Sequence, residues 1–145
     1  MKTIKMTAVI GVCEGYGHSN NTNVAFESLY QDAAAEEFAE SGTYVSAVIT
    51  PTRTVYHKDW CCPDGGEVTY EVTATANPEY VTDMEAWKEA ALRVVKSLKC
   101  VLKQTTVTVE FSEVDLIYLD EKYEEEEQQR RRDEAYSRRE SMSYK

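Results

Sequence analysis

No run of apolar residues in this 145-residue sequence approaches the length needed to cross a bilayer, which is roughly 20 residues. The first residues alternate between polar and apolar types, so they also lack the hydrophobic segment of a secretory signal peptide. The four cysteines are too sparse for a disulfide framework, and without an export signal reduced thiols are the default. These absences predict a cytoplasmic protein that has no membrane partner.

Basic residues are scarce as well. The chain holds 16 Lys and Arg against 26 Asp and Glu, which gives a formal net charge of -10. Since binding to duplex nucleic acid or to an anionic membrane surface requires clustered Lys and Arg, this composition argues against both. An acidic surface keeps a protein soluble and can meet a basic surface on a protein partner.

Sequence signatures of catalysis and of nucleotide binding are missing too. The glycines of Gly15–Gly17 match neither the GxGxxG fingerprint nor a P-loop with its lysine. Glu14 with His18, or Cys13 with His18, could form an acid–base or nucleophile pair, but no motif supports either pair. We therefore predict no catalytic residues and expect a protein that is not an enzyme.

Hydrophobic periodicity is present, and it alternates between period two and helical spacing along the chain. Period two predicts strands, whereas apolar residues at helical spacing, such as Phe26, Tyr30 and Ala33, predict helices. The resulting elements are strands over residues 4–13, 43–57, 67–76 and 105–119, with helices over residues 24–41 and 84–101. This order predicts an α+β, ferredoxin-like βαββαβ sandwich, in which two helices cover one face of a four-stranded antiparallel sheet.

Three local features refine this prediction. Pro51 cannot donate a ladder hydrogen bond, so the second strand is expected at an edge of the sheet or with a bulge. Thr82–Glu85 match a capping box at the start of the second helix. Ser112–Glu113 mark a predicted bulge, through which the run Val114–Leu119 changes face.

The C-terminal residues form a separate region with almost no apolar face. Acidic residues precede basic ones, which places Glu126–Arg130 and Glu127–Arg131 at i,i+4 spacing and suits the helix macrodipole. We therefore predict an α+β domain over residues 1–119 and a charged, solvent-exposed helical tail over residues 120–145.

The two predicted core helices carry opposite charges. The first is expected to expose the acidic residues Glu27, Asp32, Glu36, Glu37 and Glu40, and the second the basic residues Lys88, Arg93, Lys96, Lys99 and Lys103. One interpretation is salt bridging between the two helices within one chain, which contributes little stability per pair. The other is self-association, in which the acidic helix of one copy meets the basic helix of another.

The predicted topology brings three connections to one edge of the sheet: the loop after the first strand, the hairpin after the second, and the end of the second helix. Both histidines and all four cysteines fall there. As thiols and imidazoles, the candidate zinc ligands are Cys13, His18, His57, Cys61 and Cys62. Adjacent cysteines seldom bind one ion together and no Cys-x-x-Cys pair is present, so we predict no metal. Cys100 is interpreted as a small buried hydrophobic residue.

A ligand site is predicted at the same edge. The loop Gly15–Asn23 offers backbone amides and a helix N-terminus, both of which attract anions. The candidate binding residues for a small anion or nucleotide are Gly15, Tyr16, Gly17, His18, Asn20, Asn21, Arg53 and His57. The alternative is that these glycines only form the turn before a capped helix.

Threonine and glutamate dominate the predicted open face of the sheet, where an RNA-recognition domain would carry aromatic and basic residues. The main hypothesis is therefore a small, acidic, non-enzymatic binding protein, such as an inhibitor or accessory protein, whose partner is another protein or a second copy. The alternatives are a small-ligand binder that uses the Gly15–Asn23 loop, and a small hydrolase or isomerase at the same edge. No cofactor is predicted, and the sequence identifies neither the ligand nor the partner.

Overall fold

The computed structural model describes residues 1–13 and 24–143. The strands in these ranges are β1 (Lys2–Gly11), β2 (Val48–Thr54), β3 (Glu67–Thr75) and β4 (Thr108–Asp115). The α-helices are α1 (Phe26–Ser41), α2 (Met84–Val101) and α3 (Glu121–Ser143). A short 3-10 turn, Lys58–Trp60, lies in the connection between β2 and β3.

The four strands form one antiparallel sheet in the order β2-β3-β1-β4. In this order the central strands β1 and β3 are neighbours, and each is the first strand of one βαβ half. The order confirms the predicted ferredoxin-like α+β fold. β2 is an edge strand, as Pro51 indicated, because an edge position tolerates a residue without a backbone N–H.

One face of the sheet forms the hydrophobic core with α1 and α2. Successive side chains of a strand point to opposite faces, so Met6, Ala8 and Ile10 of β1 all point to the helices, and all three are completely buried. Phe26 at the start of α1 stacks on Tyr70 of β3 with ring centroids 4.5 Å apart. These contacts fix the two helices on one side of the sheet.

The other face of the sheet carries no helix from the first unit of the chain and is rich in threonine. On this face the Thr69 hydroxyl lies 2.8 Å from the Thr52 hydroxyl and 3.0 Å from that of Thr54. These bonds join β2 to β3 through side chains as well as through the backbone ladder. The polar face is therefore internally hydrogen-bonded where Thr69 is buried.

Two of the local predictions are wrong. The N-cap of α2 is Asp83, whose carboxylate accepts a hydrogen bond from Ala86 N at 3.0 Å, so the helix begins one residue later than a Thr82 cap would require. An acidic cap also interacts favourably with the N-terminal end of the helix dipole. In β4, Ser112 and Glu113 pair residue for residue with β1, so the predicted bulge does not form.

The predicted exposure of Glu37 is also wrong. Its side chain is only 5% exposed, and its carboxylate accepts hydrogen bonds from Arg93 Nε at 2.6 Å and Arg93 Nη2 at 3.1 Å. The pair joins α1 to α2 within one chain, which agrees with the first interpretation of the two charged helices. Self-association through these helices stays a prediction.

The chain divides into two compact units, Met1–Asp115 and Leu116–Lys145. In the second unit, Asp120 Oδ1 caps α3 by accepting from Tyr123 N at 2.7 Å, and Arg131 forms an i,i+4 ion pair with Glu127 at 2.9 Å. The domain boundary at residue 119 stays a prediction. None of the helices over residues 26–41, 84–101 and 121–143 combines the length and apolar character needed to cross a membrane.

Candidate active site

A cleft of about 670 Å³ opens on the face of the sheet opposite α1 and α2, at the end where β1 and β2 finish and β3 and β4 begin. We call it the open-face cleft. Its lining residues are Val9, Gly11, Cys13, Thr54, Tyr56, Trp60, Cys61, Glu67, Thr69, Gln104, Thr105, Thr106 and Thr108. They come from all four strands, from the connection after β2 and from the segment after α2, so several distant parts of the sequence meet at this edge.

Two polar side chains flank the connection between β2 and β3. The Tyr56 hydroxyl donates a hydrogen bond to Glu67 Oε2 at 3.2 Å. Burial, followed by the negative charge of Glu67, raises the pKa of Tyr56 to about 12. Tyr56 therefore keeps its proton at neutral pH and acts as a hydrogen-bond donor that holds the Glu67 carboxylate in the cleft.

The floor of the cleft contains Gly11, the last residue of β1. A Cβ atom on Gly11 would collide with Glu67 Oε1 and would stand 2.6 Å from Gln104 Oε1. Both oxygens belong to flexible side chains, but both occupy the space that any larger residue needs. The absence of a side chain at position 11 is therefore what lets Glu67 and Gln104 approach each other.

Two of the four cysteines, Cys13 and Cys61, line the same cleft, and Cys62 lies next to the lining residue Tyr56. Cys13 is buried, Cys61 is exposed, and Cys62 Sγ lies 3.4 Å from Tyr56 N as a hydrogen-bond acceptor. Burial, with a smaller contribution from Glu67, raises the pKa of the Cys13 thiol. A raised thiol pKa disfavours the thiolate, so Cys13 is poorly suited to act as a nucleophile.

The fourth cysteine, Cys100, is exposed, so the prediction that it is buried is wrong. The helix has about 3.6 residues per turn, so residue 100 lies about 200° around α2 from the buried Leu98. No group of three or more His, Cys, Asp and Glu side chains within residues 1–13 and 24–143 could hold a metal ion.

The 3-10 turn forms one wall of the cleft. His57 Nδ1 caps this turn by accepting from Asp59 N at 3.1 Å. The His57 ring lies beside Trp60, with centroids 5.9 Å apart. Trp60 lines the cleft and is 69% exposed, so it offers a large, accessible aromatic surface.

The remaining sequence-predicted ligand residues lie elsewhere or cannot be placed. Arg53 pairs with Val68, which packs against the core, so Arg53 lies on the opposite face of β2 from Thr52 and Thr54. Gly15, Tyr16, Gly17, His18, Asn20 and Asn21 lie outside the described residues. Their role in binding stays a prediction.

Several cleft residues were not singled out from the sequence: Gly11, Tyr56, Trp60, Glu67 and Gln104. The one signal that pointed toward them was the turn-rich connection between β2 and β3, which Tyr56 and Glu67 flank. Among the cleft residues that the structure describes, Glu67 is the only one with a formally charged side chain type, and none is Lys, Arg or His. This composition favours a cation in the open-face cleft, and the anion site predicted at the Gly15–Asn23 loop stays a prediction.

Comparisons with known proteins agree with an enzyme site. A family model described as SAM lyase matches residues 1–120. A structure described as a phage SAM lyase in the apo state is 17% identical, with a TM-score of 0.51, and the alignment covers 82% of this chain and 94% of that one. A phage SAM lyase in complex with S-methyl-5'-thioadenosine is 14% identical, with a TM-score of 0.50 and coverages of 81% and 93%. No curated protein matches the chain significantly.

The two structural likenesses establish the fold, whereas the family match bears on function. A lyase is an enzyme, so the predictions of a non-enzymatic binding protein and of a chain without catalytic activity are wrong. The error arose because the cleft residues are far apart in sequence and form no contiguous motif. Because the family model covers most of the chain and the whole of the open-face cleft, the protein belongs to the SAM lyase family.

Proposed function

We propose that the open-face cleft binds S-adenosylmethionine and cleaves it, releasing S-methyl-5'-thioadenosine. The observation that carries this proposal is the family match, which includes every residue that lines the cleft. The phage enzyme that was solved in complex with S-methyl-5'-thioadenosine supports the choice of that compound as ligand.

The charge of the cleft suits this substrate. S-adenosylmethionine carries a positive sulfonium centre and an ammonium group, and the cleft holds the carboxylate of Glu67 with no basic side chain in its described lining. Near a protein surface, opposite charges attract more strongly than in bulk water. Glu67 is therefore the residue that we assign to the cationic part of the substrate.

Tyr56 is assigned to positioning this carboxylate. Its hydroxyl donates to Glu67 Oε2, which leaves Glu67 Oε1 directed toward Gly11 and available to a ligand. Since the pKa of Tyr56 is raised to about 12, the donor keeps its proton over the whole range in which the enzyme would work.

Trp60 is assigned to the adenine ring. Its indole is largely exposed and borders the cleft, and stacking of a base on an aromatic side chain contributes about 1–3 kcal/mol. Threonine hydroxyls around the rest of the lining can accept or donate hydrogen bonds to the ribose.

The chemistry follows from comparing substrate and product. S-methyl-5'-thioadenosine keeps the methyl group and the adenosyl group, so the bond that breaks joins the sulfur to Cγ of the amino-acid chain. The bonding pair stays on sulfur, which becomes a neutral thioether. In a lyase no water enters. Either the substrate's own carboxylate oxygen bonds to Cγ and closes a lactone, or the Glu67 carboxylate accepts a proton from Cβ and a double bond forms between Cβ and Cγ.

The test is to incubate the purified full-length chain with S-adenosylmethionine in isotopically labelled water and to follow the products by proton NMR and mass spectrometry. We expect S-methyl-5'-thioadenosine together with a four-carbon product that carries no solvent oxygen on Cγ. Unchanged S-adenosylmethionine would overturn the proposal. A labelled hydroxyl on Cγ would show hydrolysis and would overturn the lyase assignment.

A matched pair of tyrosine variants connects the activity to the cleft. Tyr56→Phe removes the hydroxyl that holds Glu67, whereas Tyr80→Phe removes a hydroxyl from an exposed residue outside the cleft. We expect a large loss of kcat for Tyr56→Phe and wild-type kinetics for Tyr80→Phe. Equal activity in both variants would remove Tyr56 from the proposed site.

A further inference from the structure

The end of α2 places Gln104 at the open-face cleft, and hydrogen bonds fix its backbone. Gln104 N donates to Lys99 O at 3.0 Å and Lys103 N donates to Cys100 O at 3.2 Å, which is the hydrogen-bond pattern of a Schellman motif. Lys103 occupies the left-handed position of this motif with a φ of 53°, where glycine is usual. The helix end therefore fixes the direction in which residue 104 leaves α2.

The side-chain amide of Gln104 is fixed as well. Its Nε2 donates to Cys13 O at 2.9 Å and to Leu102 O at 2.9 Å, which uses both of its hydrogens. The orientation of an amide with both hydrogens engaged is determined, so the acceptor Oε1 must point away from these two carbonyls. It points toward Gly11.

Gln104 Oε1 meets Glu67 Oε1 at that point. Each oxygen lies within 2.6 Å of the position that a Cβ on Gly11 would occupy, so the two oxygens are no more than about 5 Å apart. Tyr56 holds the other oxygen of Glu67. Two acceptor oxygens thus converge over a residue that has no side chain. Hydrogen bonds to the other polar atom of each group, Glu67 Oε2 and Gln104 Nε2, fix their positions.

We propose that Glu67 Oε1 and Gln104 Oε1 together form a two-oxygen subsite for the cationic part of the substrate, and that Gly11 keeps this subsite open. This inference rests on the proposed function, and it adds Gln104 and Gly11 as residues that determine ligand charge. The amide oxygen contributes partial negative charge toward a sulfonium or an ammonium group. A second carboxylate at position 104 would instead place like charges no more than about 5 Å apart, which is unfavourable.

The test compares three adenosyl ligands that the enzyme cannot cleave by the proposed reaction, using isothermal titration calorimetry. S-methyl-5'-thioadenosine carries neither cationic group, S-adenosylhomocysteine carries only the ammonium group, and an aza analogue carries a protonated amine in place of the sulfonium as well as the ammonium group. Gln104→Met keeps the length of the side chain and removes the whole amide, both the oxygen and the Nε2 donor. We expect the affinity for the aza analogue to fall about tenfold in this variant, while that for S-methyl-5'-thioadenosine is unchanged.

The behaviour of S-adenosylhomocysteine locates the charge that is recognised. An unchanged affinity in Gln104→Met assigns the subsite to the sulfonium position, and a tenfold loss assigns it to the ammonium group; both results support a cation subsite. An equal loss for all three ligands would show that Gln104 only supports the shape of the cleft, and it would overturn the inference. No loss for any ligand would overturn it too.

Gly11→Ala gives an independent check, because the added Cβ would displace both oxygens. We expect the same selective loss for the charged ligands, with Thr7→Ala on the same face of β1 as the matched control. If Gly11→Ala fails to fold by circular dichroism, the Gln104→Met result alone decides. If the wild type cleaves S-adenosylmethionine and both variants bind the three ligands with wild-type affinities, only this inference is refuted. If the wild type neither binds nor cleaves S-adenosylmethionine, the proposed function is refuted as well.

Discussion

The two faces of the sheet are built from the same four strands and serve different purposes. On the face covered by α1 and α2, side chains such as Met6, Ile10 and Val72 are completely buried. The open face carries threonines and glutamates, and the open-face cleft lies at one end of it. Neighbouring residues of a strand point to opposite faces. Alternate positions of one strand can therefore carry the buried apolar side chains of the core and the polar side chains of the open face.

This comparison shows why small substitutions should separate stability from activity. A residue on the covered face contributes mainly through apolar area removed from water and close packing. A residue on the open face contributes mainly through charge and hydrogen bonding toward a ligand. Substitutions at adjacent positions of one strand are thus expected to act on different measurable quantities.

The largest expected effect is on the covered face. Ile10→Ala removes a fully buried side chain and leaves a cavity, which should lower the free energy of unfolding by about 2–5 kcal/mol. Thr7→Ala, on the open face of the same strand, should change it by less than about 0.5 kcal/mol. Urea denaturation followed by circular dichroism measures both values, and similar destabilisation by the two variants would contradict the division between the faces.

A comparable effect on activity, without loss of stability, is expected on the open face. Glu67→Gln removes the carboxylate of the cleft and should lower kcat/KM by about 100-fold or more. Glu71→Gln changes a carboxylate on the same face of β3, two positions beyond Thr69 and outside the cleft lining, and should leave kcat/KM unchanged. The rate of S-methyl-5'-thioadenosine formation is measured for both variants, and equal rates would place the chemistry away from Glu67.

A smaller effect, dependent on pH, is expected between the helices of the covered face. The hydrogen bonds from Arg93 hold the pKa of Glu37 below its ordinary value of 4.5. A carboxyl whose pKa is lower in the folded state stabilises the protein above its unfolded-state pKa, and this contribution is lost as the pH falls through the folded-state pKa. Glu37→Gln should therefore be less stable than wild type at neutral pH.

The difference in unfolding free energy between wild type and Glu37→Gln should shrink as the pH falls below 4.5. Glu36→Gln, a substitution at an exposed position of the same helix, is the control and should show no comparable loss at neutral pH. A difference that stays constant between neutral and acidic pH would show that the ionised pair contributes nothing to stability.

The smallest expected effect is at the end of α2. Lys103 adopts a positive φ of 53°, which costs a residue with a Cβ about 1–2 kcal/mol relative to glycine. Lys103→Gly should therefore raise the thermal midpoint by a few degrees, since part of the gain is offset by the greater freedom of glycine in the unfolded chain. Differential scanning calorimetry measures the shift, and a lower midpoint would show that the lysine side chain makes stabilising contacts.

Much of the fold could be predicted from local patterns. The alternation from Ile4 to Val12 identifies β1, and Pro51 correctly places β2 at an edge. Prediction failed where two local patterns compete over one or two residues. Thr82 and Asp83 are both good N-caps, and only the observed hydrogen bond to Ala86 shows that Asp83 is the one used.

The site was harder to predict, because its geometry joins residues that are distant in sequence. Tyr56 and Glu67 are 11 positions apart, and Gln104 and Cys13 are 91 apart. No periodicity relates such positions, and their types are common in surface segments. The predicted basic residue, Arg53, lies at the right end of β2 but on the other face, as one position along a strand reverses the direction of a side chain.

The sequence by itself determined the order of strands and helices, which side of each strand is buried, and the acidic charge of the protein, since these depend on composition and on spacings of two to four residues. Only the tertiary structure decided that Gly11, Tyr56, Glu67 and Gln104 share one cleft and that Glu37 is buried against Arg93. The reason is that sheet register and the exit direction of α2 set these distances, and both result from packing of the whole chain.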